Sequence, residues 1–561
     1  MKPDARSCAS PRALLLLVVG WALLAALVVY STLFAPSYFE DDRYNLGVVR
    51  RSALPTSQHL LETSLVGMFF EPYPVPRAED WHIGLPIVLL VGWTKLVGPT
   101  PEWVLRLPHL IWVSLWFFLA ALLLQTLRRP VRLPAASDGG GERVTFAWLA
   151  LAVGCALALT PWAHFLLSHA FVEDVPAAVA VLVLLLLLAR SRTYGLKTAL
   201  AAGALAGLAF VMKDLYIVWG PIGLLLTVAL VGQTARGPRP RLLRLLGLAA
   251  VLFVAAYLVV VLPKSIWRWH EVGGPLENPV RYWLSSVFFY HSQIDPAHHP
   301  FFLYDDDSYR SVLTLAGGLE PALAALKRPV LLTLLSLQWL APAWLWLIPF
   351  ALWRRLLRHW SQPHLVLYTA LALTIAAYCA FFMSGLAWAG ELRSWIVPVT
   401  LAVALGIQAT AELVTRGPRG GGGWRRGDLQ WVAPLLFVIL LCYVQPATIL
   451  DWDRADAPPI DASTADRLAT QLPPAGAALL DIKDGINFWS EHPWARVVAF
   501  SSDHLVRLSP PLAQRLVDTY DVQAALLRDR RLSQPLEAIG FVVVYEDDRW
   551  VLLARGPSTP P

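Results

Sequence analysis

The chain is broken into apolar runs too long for the interior of a soluble domain. The first, Ala13 to Phe34, contains no charged residue, and a helix needs about 20 predominantly apolar residues to cross a bilayer. Comparable runs recur as far as residue 447. They account for a composition that is 56% hydrophobic and only 15% charged, with a mean hydropathy of +0.52. A chain of this kind must satisfy its backbone polar groups within each segment, so the pattern predicts an all-α polytopic membrane unit. The basic residues cluster in short connections, such as Lys2, Arg6 and Arg12, then Arg190, Arg192 and Lys197, then Arg354, Arg355 and Arg358. That clustering marks the cytoplasmic side of a membrane. The net charge of +6 is therefore an orientation signal and gives no reason to expect a nucleic acid partner.

Applied along the chain, the rule gives about 11 spans (between 11 and 13 if short runs are counted differently). They fall at roughly 13–34, 103–127, 144–161, 174–190, 197–213, 214–232, 242–262, 330–352, 364–383, 394–414 and 429–447. The N-terminus is cytoplasmic and the C-terminus extracytoplasmic, in the cell inner (plasma) membrane. The first run is longer than a secretory apolar region and lacks a small-x-small cleavage site, so it reads as an uncleaved span. The run Ile83 to Gly98 contains Lys95, and counting it as a span would put Arg128 and Arg129 outside. It is predicted to be a juxtamembrane helix lying in the interface.

The cytoplasmic connections are short, whereas the outer face carries about 35–102, about 263–329 and a long tail. Function is expected there. Residues 1–447 form the membrane unit and 448–561 a soluble α/β domain. In the tail, Ala477–Ile482, Arg496–Phe500, Gln523–Leu527 and Phe541–Tyr545 read as strands. Pro511–Tyr520 reads as a helix, and Trp550–Leu553 closes a hairpin. The tail has no glycine-rich phosphate loop and no nucleophile elbow. The four cysteines lie in the N-terminal tail or inside apolar runs, in neither disulfide nor metal spacing.

Few residues of the apolar unit can carry chemistry. Glu40, Asp41 and Asp42 follow the first span almost at once. They read either as a solvated loop or as a site in which one carboxylate, crowded by like charge, works as a general base. Glu173 and Asp174 head the fourth span at the same level, and they could equally cap its first turn. Lys213, Arg268, Arg393, Lys264 and His82 lie on the same face. They either snorkel or receive a lipid-linked phosphate. Gly203 and Gly207 form a GxxxG pair, which signals close helix packing. His298 and His299 are adjacent, and no HxH or HxxxH spacing occurs, so metal ligands are not specified; a divalent cation stays an option.

Several of these segments, taken in order, resemble the motifs of the GT-C membrane glycosyltransferases. The closest parallels are the bacterial relatives of the dolichyl-phosphate-mannose protein mannosyltransferases and of the lipid A aminoarabinose transferases. Asp41-Asp42-Arg43-Tyr44 is similar to the family's acidic motif in the first outer loop, with Asp42 where Glu is common. Trp81-His82-Ile83-Gly84-Leu85-Pro86 is similar to its His-Pro-Pro turn, with Ile83-Gly84 replacing the prolines. Asp174-Val175-Pro176 matches the second acidic motif. Gly203 to Lys213 resembles a glycine-rich helix ending in Thr-Lys, with Met212 for Thr. Arg393-Ser394-Trp395 begins a segment like its Arg-Tyr-x-x-Pro.

The resemblance implies sugar transfer from a polyprenyl-phosphate donor, with membrane lipid around the enzyme and a glycan, lipid or protein acceptor. Catalytic roles then fall to Asp41, Asp42 and Asp174. Substrate contacts fall to Glu40, Tyr44, His82, Glu173, Lys213, Arg268 and Arg393. No cofactor is specified. A polytopic transporter or a non-catalytic envelope assembly protein of the same fold is the alternative; no inverted repeat supports the transporter.

Overall fold

The computed structural model describes residues 11–35, 40–53, 65–70, 73–74, 84–98, 100–128, 139–158, 161–191, 195–234, 239–272, 362–381, 395–415, 477–481, 496–500, 510–527, 530–548 and 550–556. The expected spans at 330–352 and 429–447 lie outside these residues.

The first apolar run forms α1 (Pro11–Leu33), and the acidic trio opens α2 (Glu40–Ser52). After strands β1 (Leu65–Phe70) and β2 (Tyr73–Pro74) come α3 (Leu85–Val97), the single turn α4 (Glu102–Leu105) and α5 (Leu107–Arg128). Then follow α6 (Gly139–Ala158), α7 (Pro161–Ser168), α8 (Asp174–Arg190), α9 (Leu196–Met212), α10 (Trp219–Thr234) and α11 (Arg239–Val272). Helices α12 (Gln362–Phe381) and α13 (Ile396–Thr415) complete the described membrane unit. Among the described residues, four helical segments are long and apolar enough to cross a membrane: Leu14–Leu33, Leu107–Leu127, Tyr216–Gln233 and Pro240–Ile266. Helix α3 is shorter, at 13 residues, or about 20 Å.

Helix α8 lies at the centre, buried along nearly its whole length, while α11 exposes Leu243, Val251, Val259 and Leu262 as a lipid-side helix would. Helices α9 and α11 touch backbone to backbone. A Cβ at Gly203 would lie 2.1 Å from the Phe253 carbonyl oxygen, and one at Gly207 2.9 Å from that of Tyr257. Only glycine permits this approach, as the GxxxG spacing anticipates. Trp116 Nε1 donates to Thr400 Oγ1 at 2.8 Å and ties α5 to α13.

The tail builds β3 (Ala477–Asp481), β4 (Arg496–Phe500), α14 (Pro510–Tyr520), β5 (Val522–Leu527), the short helix α15 (Gln534–Glu537), β6 (Phe541–Glu546) and β7 (Val551–Arg555). Leu479, Val517, Leu527 and Leu553 form the core between sheet and helix. Gly540, at φ +98°, makes the turn from α15 into β6, a conformation an L side chain resists. The strand order is β2-β1-β4-β3-β5-β7-β6. Strands β1, β4, β3 and β5 run parallel, and the hairpin partners are antiparallel. The sheet is therefore not confined to the tail. Its β1 and β2 come from the first outer loop, a long-range pairing that local periodicity does not reveal.

Candidate functional site

The carboxylates Glu40, Asp41 and Asp42 occupy the first turn of α2, where unpaired backbone N–H groups favour negative charge. Asp42 is 1% exposed, and its Oδ1 accepts a hydrogen bond from Phe171 N at 2.6 Å. One turn on, Asn45 Nδ2 donates to the Phe171 carbonyl at 2.8 Å. The two side chains share a helix face, being three apart, and together hold both backbone polar groups of Phe171. Asp174 lies three residues beyond that clamp.

Glu173 stands in the N-cap position of α8 but makes no side-chain cap bond. Its carboxylate instead accepts the Gly84 backbone N–H at the start of α3 and lies 3.6 Å from Lys213 Nζ at the end of α9. Both members of that ion pair are buried. Asp174 is fully buried in the first turn of α8, and its carbonyl accepts from Tyr216 Oη at 3.2 Å. Gly84 is required by its surroundings, because a Cβ there would lie 1.8 Å from the Met212 carbonyl oxygen. Glycine is thus the one residue that fits against the backbone before Lys213. Lys264 Nζ, on α11, donates to the carbonyls of Val211 at 3.1 Å and Phe210 at 3.4 Å, and so fastens the same end of α9.

A second charged network supports the site from below. Arg106, 2% exposed, donates to the Ala35 carbonyl at 2.7 Å and the Ser168 carbonyl at 3.1 Å. Its Nε donates to Glu102 Oε1 at 2.9 Å, and Arg43 NH1 reaches Glu102 Oε2 at 3.1 Å. Burial alone would raise the Glu102 pKa, but Arg43 and Arg106 outweigh it and hold the carboxyl below its ordinary value. His109 Nε2 lies 3.0 Å from the Leu166 carbonyl. One network therefore ties together the end of α1, the start of α2, α4, α5 and α7.

Of the residues singled out in the sequence, the structure brings Asp42, Glu173, Asp174 and Lys213 to one level. Glu40, Asp41 and Tyr44 stand on α2 beside Asp42, while Arg268 stands on the last turns of α11. His82 and Arg393 lie outside the described residues, the former two residues before Gly84, the latter two before the buried Trp395. Asn45, Glu102, Arg106, His109 and Tyr216 were not among the expected site residues. The four-residue spacing of Glu102 and Arg106 was the available signal. Among the described residues no three His, Cys, Asp or Glu side chains come together as a metal site would require.

No protein-family model matches the chain, and no curated protein matches it. Solved structures do. ArnT from Cupriavidus metallidurans bound to undecaprenyl phosphate aligns over 97% of this chain and 98% of its own, with 15% identity and a TM-score of 0.52. The same protein in the apo state aligns over 98% and 100%, with 16% identity and a TM-score of 0.47. An oligosaccharyltransferase from Archaeoglobus fulgidus aligns over 97% of this chain and 75% of its own, with 12% identity and a TM-score of 0.48. The chain has the GT-C fold.

Proposed function

We propose that the chain is an integral-membrane glycosyltransferase that moves a sugar from a polyprenyl-phosphate donor to an acceptor on the extracytoplasmic face. The observation that carries this reading is the meeting of four motifs: the α2 acidic turn, the α3 turn, the α8 acidic turn and Lys213. The fold adds support, since it is shared with a protein solved with undecaprenyl phosphate bound. In this reading residues 1–447 are the catalytic membrane domain and 448–561 a soluble extracytoplasmic α/β domain. The N-terminus is cytoplasmic, in the inner (plasma) membrane.

The reaction is a single inverting displacement. The acceptor hydroxyl oxygen bonds to the anomeric carbon from the face opposite the donor phosphate, and its proton passes to the Asp41 carboxylate. The bond from the anomeric carbon to the phosphate oxygen breaks, releasing polyprenyl monophosphate. Lys213 and Arg393 stabilise the charge gathering on that oxygen. Asp42 keeps α2 fixed against Phe171, so that Asp41, its neighbour in the same turn, is held in place. Asp174 orients groups on the base side, while Glu173 sets the position of Lys213. Glu40, Tyr44, His82 and Arg268 line the approach of donor and acceptor. A divalent cation is compatible with the acidic turn, but no step is routed through one.

The test is Asp41→Asn in the full chain. Transfer from a polyprenyl-phosphate sugar should fall by about 10²–10⁴-fold, while yield and elution from a sizing column in detergent stay native. Near-native turnover would remove Asp41 from its role. Solute uptake by proteoliposomes carrying the native chain would replace the reading with a transporter.

A further inference from the structure

The acidic site and the tail share one loop. Helix α2, which carries Asp41 and Asp42, ends at Ser52, and the next described helix, α3, begins beside Gly84, whose N–H Glu173 accepts. The first turns of α2, through Asp42 and Asn45, and the start of α3, through Gly84, are thus bonded to the same short stretch, Phe171 to Glu173. The middle of that segment is β1. It lies in the tail sheet, parallel to β4, with Gly67 opposite Val498, Met68 opposite Ala499 and Phe69 opposite Phe500. The partners lie more than 400 residues apart in the chain, so every described membrane helix from α3 to α13 lies within the loop their pairing closes, while α1 and α2 precede it.

The pairing also meets a need of the sheet. Without β1, strand β4 would present a bare parallel edge, the kind of edge that folded proteins cover or blunt. Strand β1 covers it with an apolar segment, Leu65 to Phe70. Beyond it β2 ends in Pro74, which has no N–H with which to extend the ladder. The links back to the site are short. Residues 54–64 and 75–83 span at most about 40 Å and about 32 Å when fully extended.

We infer that the tail is a positioning element for the acidic site: by holding β1 in its sheet it fixes the loop that joins α2 to α3. The membrane unit and the tail are then one working unit, and what the tail docks against is the chain's own first outer loop. The catalytic side of this inference rests on the proposed role of Asp41; the pairing itself does not.

The test uses the full chain in detergent. Register neighbours in a sheet share a face and lie close enough for a disulfide. Phe69→Cys with Phe500→Cys should therefore cross-link on mild oxidation, whereas Phe69→Cys with Val497→Cys, three residues out of register, should not. Successive residues of a parallel strand turn their N–H groups to opposite sides. Gly67→Pro with Met68→Pro therefore removes whichever donor faces β4. In that variant, hydrogen exchange over 40–53 and 84–98 should quicken at least tenfold, with α8 and α13 unchanged, and sugar transfer should fall at least tenfold. If the proline variant loses its fold altogether, the cysteine pair decides: exchange over the same two segments should be slower oxidised than reduced. Absence of the in-register cross-link overturns the pairing, and equal exchange in the two redox states overturns the positioning role. Native transfer by a folded proline variant overturns the positioning role. A native chain with no transferase activity would refute the proposed reaction, while cross-linking and exchange still report on the pairing.

Discussion

Replacing Arg106 with Met tests the network beneath the site at its most connected point. The guanidinium is buried and serves the carbonyls of Ala35 and Ser168 and the Glu102 carboxylate. Methionine fills much of the same volume with no donor. Hydrogen bonds to a charged group contribute about 1.5–3 kcal/mol each, and breaking a buried ion pair by removing one partner costs about 3–5 kcal/mol. Two features move the expected cost to the low end. Glu102 keeps Arg43 at 3.1 Å, and its side chain is 23% exposed. The expected loss is about 3 kcal/mol, roughly a hundredfold in the ratio of folded to unfolded chain. Arg106→Lys keeps the charge but not the fork that reaches the Thr32, Ala35 and Ser168 carbonyls and Glu102 together, so it should recover less than half of that loss. Equilibrium unfolding in mixed micelles measures both variants against the native chain. A folded Arg106→Met chain within about 1 kcal/mol of native would refute the reasoning, because it would show that water or Arg43 satisfies the acceptors equally well.

Three further outcomes follow from the same contacts. Glu102 has its pKa held below the ordinary value of 4.5. Its contribution is therefore present above that value and fades as pH falls through the lower folded-state pKa. Glu102→Gln should be less stable at neutral pH and should lose less on acidification than the native chain, measured as melting temperature against pH; parallel curves would contradict this. Gly84→Ala places a Cβ against a backbone carbonyl that cannot rotate away. It should cost about 1–3 kcal/mol and lower transfer through the displaced Glu173 and Lys213, whereas Gly98→Ala, where nothing lies within 4 Å but φ is positive, should affect stability alone. Asp42→Asn keeps an acceptor for Phe171 N and should retain most activity. Asp42→Ala leaves that N–H unsatisfied, at about 1–3 kcal/mol, and should lower kcat more than KM.

What the sequence revealed and what it concealed divide along a physical line. Helices whose signal is an unbroken apolar run, such as α1, α5 and α11, fall where the runs lie, because length and composition alone determine them. The Gly203–Gly207 contact was legible because only small residues permit that approach. The tail strands at 477–481, 522–527 and 541–546 sit within a residue or two of their short apolar segments. Strand β1 was not legible, since its short apolar segment is defined by β4, far away in the chain. Arg106 was illegible for a different reason. Three of its partners, Thr32, Ala35 and Ser168, offer backbone carbonyls, which every residue carries. Glu173 read locally either as a helix cap or as a site carboxylate, and its bonds to Gly84 and Lys213 depend on how α3, α8 and α9 pack.

The charges at this level follow the helix ends that meet there. The described parts of α2, α3 and α8 all begin at the site, and the first turn of a helix presents N–H groups that favour anions. Asp42 and Glu173 answer that field, and each also receives a backbone N–H from a segment other than its own helix. Helix α9 ends at the same level, and a helix C-terminus favours cations. Lys213 stands at that end, while Lys264 reaches it from α11. Three N-termini and one C-terminus thus select the sign of every charge before any substrate is considered. An incoming phosphate would meet a field already arranged for an anion, with the Glu173 carboxylate seated between Gly84 N–H and Lys213. The acidic trio with which α2 begins therefore belongs to the electrostatics of this junction as well as to the chemistry proposed for Asp41.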